Sequence, residues 1–132
     1  MTNEMNEMSA NYAFAQDNGT VVMVGFADQD YQTRDCLLLQ RTLKPSKGDF
    51  ARGWDDIHIM VNEESRSTYG GVEGVELWSD YAIIKLAPAT ASKVQVGTPF
   101  RVNLSAQVAN LGEVGSMLEV LCGSYAKVAL HV

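Results

Sequence analysis

Short apolar blocks and runs of strict apolar/polar alternation follow one another along this chain, and their spacing predicts strands more often than helices. TVVMVGFA at 20–27 is β-branched and apolar, as suits a strand covered on both faces, and Tyr12–Ala15 is placed to pair beside it across the Asp17-Asn18-Gly19 turn. After a polar stretch at 28–35, CLLLQRTL at 36–43 resumes apolar character and then exposes Gln40, Arg41 and Thr42. LKPSKGDFARG, with two glycines and a proline among charges, reads as a loop, a long excursion between strands. In WDDIHIMVN at 54–62, Ile57, Ile59 and Val61 take one side, and Asp56, His58 and Met60 the other, which predicts a half-exposed strand. VEGVELW and YAIIKL, separated by Ser79-Asp80, fit a tight hairpin, with Val75 and Leu77 on one face.

Two helices are expected. Pro88 suits a first helical position and Gly97 a position just past the end, so APATASKVQVG predicts a helix of at most about two turns. The second and clearer one follows Asn110. There Glu113 stands three residues on as a reciprocal cap, Val114, Met117, Leu118, Leu121 and Cys122 form one stripe, and Gly123 ends it. Phe100–Leu104 and the terminal YAKVALHV complete a set of six to eight strands. The fold class that follows is α+β: a mainly antiparallel β-sheet covered by one amphipathic C-terminal helix, plus a short second helix. If buried, Met117 or Leu118 should each cost about 2–5 kcal/mol on truncation to Ala.

Length bounds this to one domain, expected over residues 12–132, after a polar N-terminal run (MTNEMNEMSAN) expected to be mobile over 1–11. Ten Lys and Arg against sixteen Asp and Glu give a net charge of −6, with no basic run to follow a phosphate backbone. Nucleic acid is therefore not the expected partner, whereas a basic protein would be attracted over about a Debye length. Two cysteines in apolar neighbourhoods, no signal peptide and no apolar span long enough for a membrane favour a soluble, cytoplasmic protein. Cys36 and Cys122 both read as small core hydrophobes.

The chemistry available is sparse. His58 and His131 have no Cys or His at metal-ligand spacing, so no metal or other cofactor is expected. Adjacent residues of a strand face opposite ways, so Asp55 and Asp56 do not make a close dyad; Asp28 and Asp30 lack the glycine and terminal Glu of a calcium loop. No serine sits in a nucleophile elbow, and GVEG lacks the Lys-Ser/Thr of a phosphate loop. The sequence thus assigns no catalytic residue. What remains is recognition: Trp54 beside Asp55 and Asp56, Tyr69 before Gly70-Gly71, Trp78 before Ser79-Asp80, and the Glu63-Glu64 pair set aromatics and acids together at strand ends. Such groups could anchor a basic partner, and the same rings could equally fill the core or brace sheet edges.

VVMVGFAD at 21–28, CLLLQR at 36–41, IHIMVNEESRSTYGGVEGVELWSD at 57–80 and AIIKL at 82–86 occur in an order that resembles the tenth family of immunity proteins from bacterial polymorphic toxin systems. The resemblance extends less distinctly through 100–104 and the helix at 110–122. It implies a protein that binds and neutralises a cognate toxin without chemistry of its own. It marks Leu39, Gln40 and Arg41, and Tyr69, Gly70, Gly71 and Val72, as family-like positions of structural character. Two rivals from other classes are a structural domain assembling as a homodimer through a strand edge, and a small hydrolase using His58 with nearby carboxylates. The STYGG stretch at 67–71 is expected to place Tyr69 against the sheet, with Gly70 or Gly71 at positive φ or close to another strand.

Overall fold

The computed structural model describes residues 5–29 and 31–132; Met1–Glu4 and Asp30 lie outside that range. In chain order the elements are β1 (Met5–Ala10), β2 (Tyr12–Asp17), β3 (Val21–Ala27), β4 (Cys36–Thr42), α1 (Lys47–Arg52), β5 (His58–Val61) and β6 (Glu63–Tyr69). They continue with β7 (Val72–Trp78), β8 (Tyr81–Leu86), α2 (Pro88–Val94), β9 (Val96–Leu104), α3 (Leu111–Cys122) and β10 (Lys127–His131). The class is α+β with the C-terminal helix in place, but the strands divide between two five-stranded sheets. Sheet one runs β1-β9-β8-β7-β10 and sheet two runs β2-β3-β4-β5-β6. Every neighbour pair is antiparallel except the two edges of sheet one, where β1 lies parallel to β9 and β10 parallel to β7.

The split follows from which face of each strand is apolar. Val22, Val24 and Phe26 of β3, Leu37 and Leu39 of β4, and Ile57, Ile59 and Val61 around β5 are fully buried, and so are Val75, Leu77, Ala82, Ile84, Phe100 and Val102 of sheet one. The two sheets share this core with α2 and α3, whose Val94, Val114, Leu118, Leu121 and Cys122 are also buried. Helix α3 packs against β3, β2, β4 and β10, and α2 against β6, β9 and β5, so the helices fill the space at the margins of the two layers.

Four local expectations are corrected. The segment expected to be mobile over 1–11 contains β1 within the described residues: Met8 and Ala10 are buried and Ser9 and Ala10 pair with Asn103 and Leu104. Its alternation is too short to stand out without the partner strand. The expected loop at 43–53 contains α1, a third helix. Ser46 Oγ accepts the Asp49 amide at 3.1 Å while Asp49 Oδ2 accepts the Ser46 amide at 2.8 Å, a complete capping box on a helix that buries no residue and so shows no apolar stripe. The polar run at 63–69 is a strand, β6, and the preceding strand starts at His58, leaving Trp54–Asp56 in the turn.

The fourth correction concerns helix ends. Helix α2 closes at Gln95 in the left-handed region rather than at Gly97, because the chain must enter β9 at Val96 to pair with Met5. Arg66 donates to the carbonyls of Val94 (3.0 Å) and Gln95 (3.3 Å), satisfying that end from β6. At the start of α3, Asn110 makes no side-chain cap; its amide Nδ2 donates instead to the Ala13 carbonyl of β2 at 2.9 Å. A tertiary hydrogen bond has replaced a local one.

Candidate functional site

The cluster begins at the turn that follows α1. The αL residue Gly53 ends that helix, and Trp54, Asp55 and Asp56 are delivered to the end of sheet two where β6 finishes. Trp54 stacks on Tyr69 with ring centroids 6.1 Å apart, the Arg52 guanidinium lies 5.0 Å from the Trp54 ring centre, and His58 meets Tyr69 edge-on at 4.7 Å. Trp54 and Tyr69 are nonetheless 43% and 39% exposed, so the stack presents aromatic area to solvent.

Behind it stands the STYGG turn. Gly70 and Gly71 both have positive φ, 84° and 86°. The Gly70 amide donates to the Ile57 carbonyl (2.8 Å), and the Gly71 carbonyl accepts the Ala87 amide (2.8 Å). A Cβ on Gly71 would sit 1.7 Å from the Thr90 hydroxyl, which itself donates to the Gly70 carbonyl at 3.0 Å. The paired glycines thus let β6 leave one sheet and β7 enter the other while α2 lies directly on the turn.

The acids divide. Asp56 Oδ1 accepts its neighbour Ile57's amide at 2.6 Å and its other oxygen faces Gly70. Asp55 Oδ2 accepts the Tyr125 hydroxyl at 2.9 Å, and this hydrogen bond, with burial second, pushes the Tyr125 phenol above its usual range. Arg41 lies over the Tyr125 ring at 5.1 Å and donates to the Leu121 (2.5 Å) and Val120 (2.9 Å) carbonyls, a cation set against the carboxyl end of α3. Glu63 and Glu64 stand at the other end of β6, where the register with β5 slips so that Val61 faces Glu63 but Met60 faces Ser67. Burial lowers the His58 pKa, and the nearby Glu64 carboxylate opposes that shift. His58 Nδ1 is buried with no hydrogen-bond partner among the described residues.

Trp78 is not part of this assembly. It lies on the outward side of sheet one, stacked between His131 (3.8 Å) and Tyr81 (5.6 Å), with Arg101 4.0 Å from the Tyr81 ring centre. Lys85 and Glu76 form an ion pair of 2.9 Å on the same side. Of the sequence-nominated residues, then, Trp54, Asp55, Asp56 and Tyr69 come together, Glu63 and Glu64 flank the same sheet, and Trp78 belongs elsewhere. Tyr125 and Thr90, which the sequence did not single out, and Arg41, marked there only as family-like, complete the cluster, and no local pattern could have linked them to it. Leu39 and Val72 are core residues, and Gln40 faces outward between Met23 and His58. Cys122 is fully buried, its thiol pushed up to about 11 by that burial against the opposing charge of Arg41, whereas Cys36 is only half-buried and faces outward, a correction to its reading as a core residue.

A depression of about 780 Å³ between the end of α3 and β10 is lined by Glu73, Glu119, Tyr125 and Lys127 among others, and none of the nominated residues opens into it. A smaller one of about 230 Å³ lies against Val21, Met23, Gln40, Thr42 and Tyr69. Among the described residues no three His, Cys, Asp or Glu converge as a metal site would require, and no helix is long and apolar enough to cross a membrane.

Comparison with known families finds that a family model described as Immunity protein 10 matches residues 9–112, a span that takes in both sheets but for most of β1 and β10 and stops just inside α3. No curated protein matches the chain.

Proposed function

The chain belongs to the Immunity protein 10 family, and from that premise we propose that it binds a cognate bacterial toxin domain and neutralises it by occupying it, sterically or electrostatically. The family match carries this reading. The exposed Trp54–Tyr69 stack beside Asp55 and Asp56 supports it: the rings offer desolvated contact, and the carboxylates offer steering and charge-assisted bonds to Lys or Arg. The toxin face would then be basic, in keeping with the net charge of −6. The reading gives this chain no reaction, cofactor or catalytic residue of its own, and places it in the cytoplasm, where Cys36 and Cys122 remain reduced.

Co-expression with the C-terminal domain of a candidate polymorphic toxin, followed by growth rescue and pull-down, tests the reading. Rescue together with a stoichiometric complex is the expected result. Rescue by a variant unable to bind would defeat neutralisation by occupancy, and no rescue by the intact chain would remove the toxin assignment.

A further inference from the structure

Register fixes which residues share the outward side of sheet two. One cross-strand row is Phe14–Gly25–Leu38–Met60–Ser67, and the next is Gln16–Met23–Gln40–His58–Tyr69. Every position in both rows is uncharged, and so are Tyr12, Ala27 and Cys36 in the row beyond. Phe14 is 37% exposed and lies flat on Gly25, where a Cβ would come within 2.3 Å of its ring. The glycine is what allows an aromatic to lie down on the sheet. A solvent-facing side of a sheet ordinarily alternates apolar-in with polar or charged-out; here two successive outward rows cross all five strands without a charged residue.

The outward side of sheet one is the internal comparison. It carries Glu7, Arg101, Glu76, Lys85 and Lys127, and its aromatics are engaged with one another and with Arg101. That is a solvated face. The charge-free face of sheet two is instead bordered by carboxylates: Asp56 beside Gly70 at one end of β6, and the exposed Glu63 and Glu64 at the other. Arg52, at the same border, is turned onto the Trp54 ring.

Resting on the toxin-binding reading above, we propose that the outward face of sheet two, from Tyr12 and Phe14 at one edge to Tyr69 and Trp54 at the other, receives the toxin domain through a patch rimmed by Lys or Arg. Two copies of this chain set face to face with β6 over β6 would bring carboxylates against carboxylates, whereas a basic rim would pair with them. Five strands at about 4.8 Å spacing and six or seven residues at about 3.3 Å give roughly 500 Å² in projection. A standard interface takes about 800 Å² from each partner. The partner therefore also reaches the bordering Trp54 turn and the Glu63-Glu64 end.

The test uses the full chain and the C-terminal domain of the same candidate toxin. Phe14→Arg and Tyr12→Arg, both at exposed positions, should each weaken binding by about 10-fold or more, while Ser9→Arg on the outward side of sheet one leaves it unchanged. Should either Arg variant fail to fold, a second readout needs no substitution: the half-buried Cys36 thiol on this face should react more slowly with a thiol reagent in the complex than in the free protein, Cys122 staying silent in both. If the wild-type chain binds and protects but the Arg variants bind as tightly and Cys36 reacts as fast as before, this face is not the interface and the toxin reading stands. If the wild-type chain neither binds nor protects, the toxin reading falls and this one with it. A homodimer dissociated by Phe14→Arg would make the face a self-interface and overturn the assignment.

Discussion

Gly71→Ala isolates the physical cause of the turn between the two sheets. The substitution asks an L-residue to hold φ of 86°, which costs about 1–2 kcal/mol. It also drives a methyl group to within 1.7 Å of the Thr90 hydroxyl and 2.7 Å of its Cβ, so that α2 must shift or Thr90 must give up its bond to the Gly70 carbonyl, for about 1–3 kcal/mol more. The lower entropy of the unfolded alanine chain returns about 0.4–1 kcal/mol. The net expectation is a loss of roughly 2–4 kcal/mol, read as a drop of about 1–2 M in the urea midpoint at unchanged slope. Gly70→Ala is the control. It has nearly the same φ, 84°, but its Cβ would find Asp56 at 3.3 Å, so it should cost only about 1 kcal/mol. In a Thr90→Ala background the Gly71→Ala loss should shrink, a positive coupling between residues in contact. A Gly71→Ala loss below about 0.5 kcal/mol, or equal losses at 70 and 71, would refute the contact with Thr90 as the reason for glycine.

Further outcomes follow from the same structure. Leu118→Ala, at a fully buried position, should lose about 2–5 kcal/mol by chemical denaturation, and Met117→Ala, only partly buried, clearly less. Arg41→Ala should lose about 1–3 kcal/mol, since two carbonyls at the end of α3 lose a charged donor, and Arg41→Lys should restore only part because a single ammonium cannot span both. For His58, burial holds the folded-state pKa below the ordinary 6.5, so the unfolded chain binds the proton more readily. Its contribution is present above pH 6.5 and is lost as pH falls through the folded pKa; stability from pH 7 down to 5 should therefore fall more steeply in the wild type than in His58→Gln. Parallel acid slopes in thermal melts would contradict that.

Strand and helix identity was written locally wherever periodicity was strong. The alternation Ile57-Ile59-Val61, the block at 20–27 and the stripe ending at Cys122 each found the partner their apolar face required. Segments without a buried stripe were illegible by that signal. Helix α1 buries nothing, and only its Ser46–Asp49 box could have revealed it; β6 is polar and exists because β5 offers it an open edge. The candidate site shows the same division. Trp54, Asp55, Asp56 and Tyr69 were visible as aromatics beside acids, but Tyr125 meets Asp55 across 70 residues and Arg41 meets Leu121 across 80.

The amino-acid order by itself determined the α+β class, the short-turn pairings of β2 with β3 and β7 with β8, and the glycine pair that breaks 69 from 72, because each rests on local periodicity or contacts between near neighbours; it also carried the family resemblance. Tertiary structure alone decided that the ten strands of the described residues form two sheets, that β1 and β10 close sheet one in parallel, and that Asn110 and Arg66 bond to distant carbonyls. It also decided that Trp54 and Trp78 face different ways. Burial of an apolar face needs a partner surface, and which surface is free to serve depends on the whole chain at once.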